Sequence, residues 1–229
     1  MTHSSSLRLV VFDVDGTLID SQAHIMAAMT HAFDALDLPC PPREAVLSVV
    51  GLSLPVLMPR LAPDLEPDGH TALVEAYKNS FADIRVKGAG TEMSPLFPGA
   101  EETVERLLTR DDLVVGLATG KSRRGLDHLL KAHGLTGRFV TEQVADHHPS
   151  KPHPSMLLTA LAETGCEAAD GVMVGDTSFD IEMGRAAGFR TIGVTWGYHP
   201  RGALEAAGAD QVIEEYDALE AALERVWEV

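Results

Sequence analysis

The chain has 229 residues, with 18 Lys+Arg against 34 Asp+Glu and a formal net charge of −16 at pH 7. Hydrophobic residues make up 45% and charged residues 23%, which excludes a disordered, collagen-like or disulfide-stapled chain. The acid surplus excludes nucleic acid, which is gripped by Lys and Arg on phosphates, and an anionic membrane surface.

At roughly 150 residues per domain, the length predicts one large domain, or one domain with an insert. The N-terminal stretch Met1 to Arg8 has no apolar core of a signal peptide. No apolar run approaches the ~18 residues of a membrane span. The expected location is cytoplasmic. Cys40 and Cys166 stand far apart with no metal-type spacing, so both are expected as free thiols.

The first predicted element is a strand at Leu9-Val10-Val11-Phe12. Its apolarity is continuous rather than alternating, as in a parallel strand covered on both faces. It ends at once in Asp13-Val14-Asp15-Gly16-Thr17. From Ser21 to Lys87 no strand is expected. Helices are predicted over Ser21 to Leu36, Ala45 to Val50 and Thr71 to Val86, punctuated by Pro39, Pro41, Pro42, Pro55, Pro59, Pro63 and Pro67. Ser21 is the expected N-cap of the first of these.

Beyond this segment strands and helices alternate. Strands are expected at Leu113 to Ala118, Gly171 to Val174 and Thr191 to Val194, with weaker ones at Phe139-Val140 and Gln211 to Ile213. Helices are expected over Gly99 to Leu108, Arg123 to His133, Pro154 to Thr164, Ser178 to Ala187, Pro200 to Ala207 and Asp217 to Trp227. Gly134, Gly165, Gly188 and Gly208 read as stop signals. This alternation predicts βαβ units and a parallel sheet. The fold class is therefore α/β, a Rossmann-like parallel sheet core with an inserted α-helical cap. The expected division is a core of residues 1–20 and 88–229 and a cap of residues 21–87. An insert directly after a strand's C-terminal end lies over the ligand crevice of such a sheet.

Polar groups gather at the predicted strand ends. In an extended chain, Asp13 and Asp15 share one side. Two carboxylates that close repel, and a divalent cation relieves the repulsion. Gly16 permits a tight turn behind them. Thr119, Asp176 and Asp180 follow later strands, and Lys151 stands on a loop before a helix. Lys121, Arg123 and Arg124 are read as a solvated helix face. His147, His148 and His153 have no transition-metal spacing and are read as surface residues. Tyr198 and His199 are left outside the site.

These residues carry a resemblance. Asp13-Val14-Asp15-Gly16-Thr17-Leu18 resembles the DxDGT signature of the haloacid dehalogenase superfamily. Ala118-Thr119-Gly120, Lys151 in Ser150-Lys151-Pro152-His153-Pro154, and Gly175-Asp176-Thr177-Ser178-Phe179-Asp180 resemble its second, third and fourth motifs, in order and over essentially the whole chain.

The resemblance implies roles. Asp13 would be the nucleophile, forming an aspartyl-phosphate that water hydrolyses. Asp15 would be the general acid and then the base. Members that cleave carbon–halogen bonds lack this second carboxylate, so its presence points to phosphoryl transfer. Thr119, Gly120, Lys151 and Asp15 would bind the phosphate. Asp13, Asp176 and the backbone carbonyl of Asp15, with Asp180 directly or through water, would hold Mg²⁺.

The nearest resemblance is to the phosphoglycolate phosphatase-like branch with a helical cap. It implies hydrolysis of a small phosphorylated metabolite, with 2-phosphoglycolate the first expectation. Pyrophosphate and nucleotide or sugar phosphates are the alternatives. A phosphohexose mutase is disfavoured by Leu54 and Ile25, where mutases typically carry Arg and His. Asp20, Gly51, Leu52 and Ser53 are the expected specificity residues of the cap, selecting a small, polar ester. No nucleic-acid or membrane partner is expected, and the chain is expected to be a monomer or homodimer.

Overall fold

The computed structural model describes residues 7–84 and 92–228. The expected boundary between residues 87 and 88 lies outside them. So do the end of the helix expected to reach Val86 and most of the stretch Met1 to Arg8. The first strand, β1 (Arg8–Phe12), is followed by four helices: α1 (Gln22–Asp34), α2 (Arg43–Leu47), α3 (Leu54–Leu61) and α4 (Pro67–Ile84). Then come α5 (Ala100–Leu108), β2 (Leu113–Thr119), α6 (Arg123–Ala132), β3 (Thr141–Val144), α7 (Ser155–Thr164), β4 (Gly171–Gly175), α8 (Ser178–Ala186), β5 (Arg190–Val194), α9 (Arg201–Ala206), β6 (Gln211–Ile213) and α10 (Leu219–Trp227).

All six strands pair in parallel, in the order β3-β2-β1-β4-β5-β6. The sheet is covered on both faces, which is why β1 carries no polar alternation. Val10 and Phe12 face a cluster built with α5, α6 and α10, through Val104, Leu107, Leu126, Leu223 and Val226. Leu9 and Val11 face the opposite cluster, with Met156 and Leu157 of α7 and Met183 of α8.

The helices between β1 and α5 bury a third cluster of their own. Ile25, Met29 and Phe33 recur every fourth residue along α1 and pack with Val46, Leu57, Met58 and Leu73. Phe179 and Tyr198, from beyond the sheet's C-terminal edge, pack against this cluster and tie it to the core.

The helix expected over Ala45 to Val50 lies at Arg43–Leu47, and the one expected from Thr71 begins at Pro67; two further elements differ more deeply from the sequence expectation. The strand expected at Phe139-Val140 lies further on, at Thr141–Val144. It is an edge strand that buries two polar side chains, Thr141 and Gln143, beside the apolar Val144. Thr141 Oγ1 and Gln143 Nε2 both donate to Glu163, and His148 Nε2 pairs with Gln143 Oε1. Polar residues satisfied by hydrogen bonds leave no apolar signal. Helix α3 was hidden by its prolines: Pro55 falls in the first turn, where a missing N–H costs nothing, and Pro59 lies inside. Cys40 and Cys166 are free thiols. Among the described residues no helix is long and apolar enough to cross a membrane.

Candidate active site

The strand order reverses direction between β1 and β4, the switch point where open α/β sheets bind ligands. Asp13 is the residue that follows β1 there. Its backbone N–H donates to Val174 O at 2.9 Å, which locks it beside the end of β4 and its successor Asp176. In register, Phe12 pairs with both Leu117 and Val174, so Thr119, at the end of β2, flanks Asp13 on its other side.

Asp13 is 1% exposed, and neither carboxylate oxygen has a hydrogen-bond partner among the described residues. Lys151 Nζ lies 2.8 Å from Asp13 Oδ1 as an ion pair without hydrogen-bond alignment. Burial pushes the Asp13 carboxyl up from 3.8 to about 7; Lys151 pulls against the shift, and the charges of Asp180 and Asp15 add to it. Asp176 is likewise raised, first by burial and then by Asp13 and Asp180. Burial works against the Lys151 ammonium, but Asp13 and Asp180 together outweigh it and keep it charged.

Asp13, Asp176 and Asp180 present carboxylate oxygens that lie within 4.8 Å of one another. Three clustered carboxylates face one ammonium, and Asp13 Oδ2 has no partner among the described residues. An all-oxygen, negatively charged set of this kind fits a hard divalent cation. The cluster is held rigidly. Asp176 Oδ1 accepts from Thr17 Oγ1 at 2.8 Å and Oδ2 from Tyr198 N at 2.8 Å. Gly16 turns the chain at φ +86°, and a Cβ there would collide with Asp176.

Asp180 stands differently from its neighbours. Its Oδ1 accepts from Lys151 at 2.6 Å. Its Oδ2 accepts from Thr177 Oγ1 at 2.7 Å and from Thr177 N at 3.0 Å, and Asp180 N donates back to Thr177 Oγ1 at 3.4 Å, which closes a capping box at the start of α8. Both oxygens thus hold protein donors, and the side chain orients Lys151.

Asp15 turns toward the cap. Lys121 Nζ lies 2.8 Å from both of its oxygens, and Ser21 Oγ donates to it as well. The Lys121 ammonium also stands 4.8 Å above the ring of Phe81 on α4. Lys121 therefore departs from the solvated-face reading: its side chain is 9% exposed. Ser122 is the N-cap of α6, accepting from Gly125 N at 3.2 Å. Lys121 thus belongs to the turn after β2 and not to the helix.

Ser21 occupies the N-cap position of α1 but makes no capping bond; its hydroxyl serves Asp15 and lies 3.1 Å from Tyr198 Oη. Tyr198, left outside the site by the sequence reading, holds Asp176 and contacts Ser21. Arg123 pairs with Asp127 and Glu142, and Arg124 is exposed. Thr119 is 1% exposed, and its Oγ1 accepts from Lys121 N at 3.2 Å.

A cavity of about 160 Å³ opens on Asp13, Asp15, Thr119, Gly120 and Lys121. Gly51 and Leu52 of the cap line it, whereas Asp20 and Ser53 do not. Asp20 accepts from Gln22 N at the start of α1, and Ser53 N donates to Ser150 Oγ at 2.9 Å. A Cβ at Gly120 would lie 2.6 Å from Gly51 O, so glycine at 120 lets the cap loop approach the phosphate-motif turn.

The haloacid dehalogenase-like hydrolase profile matches residues 10–194. The chain belongs to that family. It is 36% identical over 212 residues to the probable phosphatase IndB of Dickeya dadantii, covering 91% of this chain and 90% of that protein. It is 30% identical over 221 residues to the phosphoglycolate phosphatase of Vibrio parahaemolyticus, covering 93% and 94%. A solved hydrolase from Pseudomonas syringae superposes with a TM-score of 0.82 at 25% identity, over 95% of this chain and 98% of that one. The six-stranded parallel sheet with its inserted helices is therefore the family's fold.

Two outcomes follow from this geometry. With its pKa raised to about 7, Asp13 keeps a proton in the folded, metal-free protein that the unfolded chain has lost. Its contribution to stability therefore falls as pH rises from about 4 to about 7. Under chelation, Asp13→Asn is expected to raise the melting temperature at pH 7.5, with the gain shrinking toward zero at pH 5. A gain that stays constant with pH defeats this account. Second, Lys121→Met removes the cation that holds Asp15. Steady-state kinetics should show kcat falling about tenfold or more, with circular dichroism unchanged and partial recovery in Lys121→Arg.

Proposed function

We propose that this hydrolase is a Mg²⁺-dependent phosphomonoesterase that works through an aspartyl-phosphate on Asp13. Residues 1–20 and 88–229 form its core and residues 21–87 its cap. The observation that carries the reading is Asp13 itself: a buried carboxylate at the end of the central strand, whose Oδ1 meets the charged Lys151 at 2.8 Å and whose Oδ2 has no hydrogen-bond partner among the described residues, with a second carboxylate two residues on.

Lys151 and the Thr119 hydroxyl bind the phosphoryl oxygens, and the Gly120 N–H adds a backbone donor. An Asp13 oxygen attacks phosphorus in line. The bond from phosphorus to the ester oxygen breaks, and that oxygen takes a proton from Asp15 as the alcohol leaves. Asp15, now a carboxylate, takes a proton from water. The water oxygen attacks phosphorus, the Asp13–phosphorus bond breaks, and inorganic phosphate is released. Ser21 and Lys121 keep Asp15 at the mouth of the cavity for both proton transfers. A Mg²⁺ ion held by Asp13 and Asp176, with Asp180 behind Lys151, would orient the phosphoryl group and offset its charge.

Hydrolysis is favoured over return of the phosphoryl group to a sugar. The cap wall beside Asp13 offers few hydrogen-bonding groups to hold a sugar while it turns. The Vibrio relative's name favours 2-phosphoglycolate as the ester, whereas the cap cavity favours a different alcohol.

Phosphate release with Mg²⁺ tests the class. Asp13→Asn should lose turnover by several orders of magnitude on every phosphate ester while its fold persists, and chelation should silence the wild type until Mg²⁺ is restored. Acid-quenched wild type should carry a phosphoryl mass on the peptide holding Asp13. Turnover by Asp13→Asn at the wild-type rate would rule out the mechanism.

A further inference from the structure

We propose that the substrate's leaving group carries an apolar or aromatic body about the size of one six-membered ring, seated between the cap helices and Asp13. The inference rests on the phosphomonoesterase reading and names its substrate class.

The cavity that opens on Asp13 has a floor of polar groups and a wall of a different character. Ile25 and Met29 of α1, Leu54 and Leu57 of α3, and Tyr77 and Phe81 of α4 line the side facing the floor. The volume of about 160 Å³ suits a ring: an apolar cavity of roughly 150 Å³ takes up benzene. Tyr77 and Phe81 pack tilted against each other at 5.8 Å, so the wall holds a preformed aromatic corner.

The charges argue in the same direction. Lys121 is taken by both Asp15 oxygens at 2.8 Å. Lys78 and Arg124 also line the cavity, but Lys78 pairs with Glu75 at 2.8 Å and is half exposed, and Arg124 is exposed. A carboxylate joined closely to the transferring phosphate, as in 2-phosphoglycolate, and seated against Ile25, Met29, Leu54 and Leu57 would face carbon, and burying an unpaired charge is costly. A ring in the same place gains burial instead. One polar feature remains on the wall. The Tyr77 hydroxyl makes no hydrogen bond among the described residues, and burial and the Asp15 charge keep it protonated. It can donate to a single polar atom on the ring.

The test compares esters of primary alcohols, so that the reacting bond stays alike. With Mg²⁺, kcat/KM for benzyl phosphate and cyclohexylmethyl phosphate should exceed that for ethyl phosphate by about tenfold or more, with 2-phosphoglycolate below ethyl phosphate. Leu54→Lys, which sets an ammonium in the wall, should shrink the benzyl advantage and raise 2-phosphoglycolate, with a thermal melt checking its fold. Ethyl phosphate or 2-phosphoglycolate equal to or better than benzyl phosphate overturns the proposal and leaves the phosphatase reading standing. A calorimetric titration keeps the two separable if no ester is hydrolysed, an outcome that would count against the phosphatase reading alone. Benzylphosphonate should bind about tenfold more tightly than methylphosphonate, and equal affinities overturn the cavity assignment.

Discussion

Three buried carboxylates around one buried ammonium are the constraint from which this structure is built. Asp13, Asp176 and Asp180 lie within one small volume, and Lys151 answers Asp13 and Asp180 from inside it. Charges buried without full compensation are expensive. The protein spends much of its local order holding them in place. Asp13 is fixed by the backbone of β4, Asp176 by Thr17 and the Tyr198 N–H, and Asp180 by the first turn of α8. Burial first, and then the neighbouring carboxylates, raise the pKa values of Asp13 and Asp176, and a divalent cation is the partner that such a set of oxygens suits.

The same constraint changes the meaning of the chain's overall charge. A net charge of −16 repels polyanions over the whole surface. Within the cleft, a bound cation, Lys151 and a backbone N–H would set a local field of the opposite sign, one that suits a small phosphate. Asp15 completes the division of labour. Its oxygens face Lys121 and Ser21, outside the carboxylate cluster. Two aspartates separated by a single residue thus stand in different settings, one inside the carboxylate cluster and the other held by Lys121 and Ser21.

The core was legible because its signals are local. Four apolar runs matched β1, β2, β4 and β5 to within a residue, since a strand covered on both faces needs unbroken hydrophobicity. Glycine stops marked the helix ends for a similar reason, since a left-handed C-cap excludes most other residues. The misses were elements whose signal was masked. β3 buries polar side chains that find partners in each other, in α7 and in the loop before it, and α3 carries prolines at positions where a helix tolerates or survives them. Asp13, Asp15, Thr119, Lys151 and Asp176 could be named from motif order, because each follows a strand end or a short loop that the motif itself defines. Lys121, Ser21 and Tyr198 could not, because each acts across the boundary between cap and core.

The sequence by itself determined the parallel sheet, the place of the helical insert and the residues gathered at the strand ends. Those follow from hydrophobic period and from the positions of Gly and Asp along one chain. Tertiary structure alone decided the rest. It showed that Lys121 faces Asp15 rather than water, that Asp180 caps a helix while orienting Lys151, and that the cap turns an apolar wall toward the phosphate site. No local pattern encodes these relations. They depend on where residues some 30 to 160 positions apart meet in the fold, as Lys151 meets Asp180, Lys121 meets Phe81 and Thr17 meets Asp176.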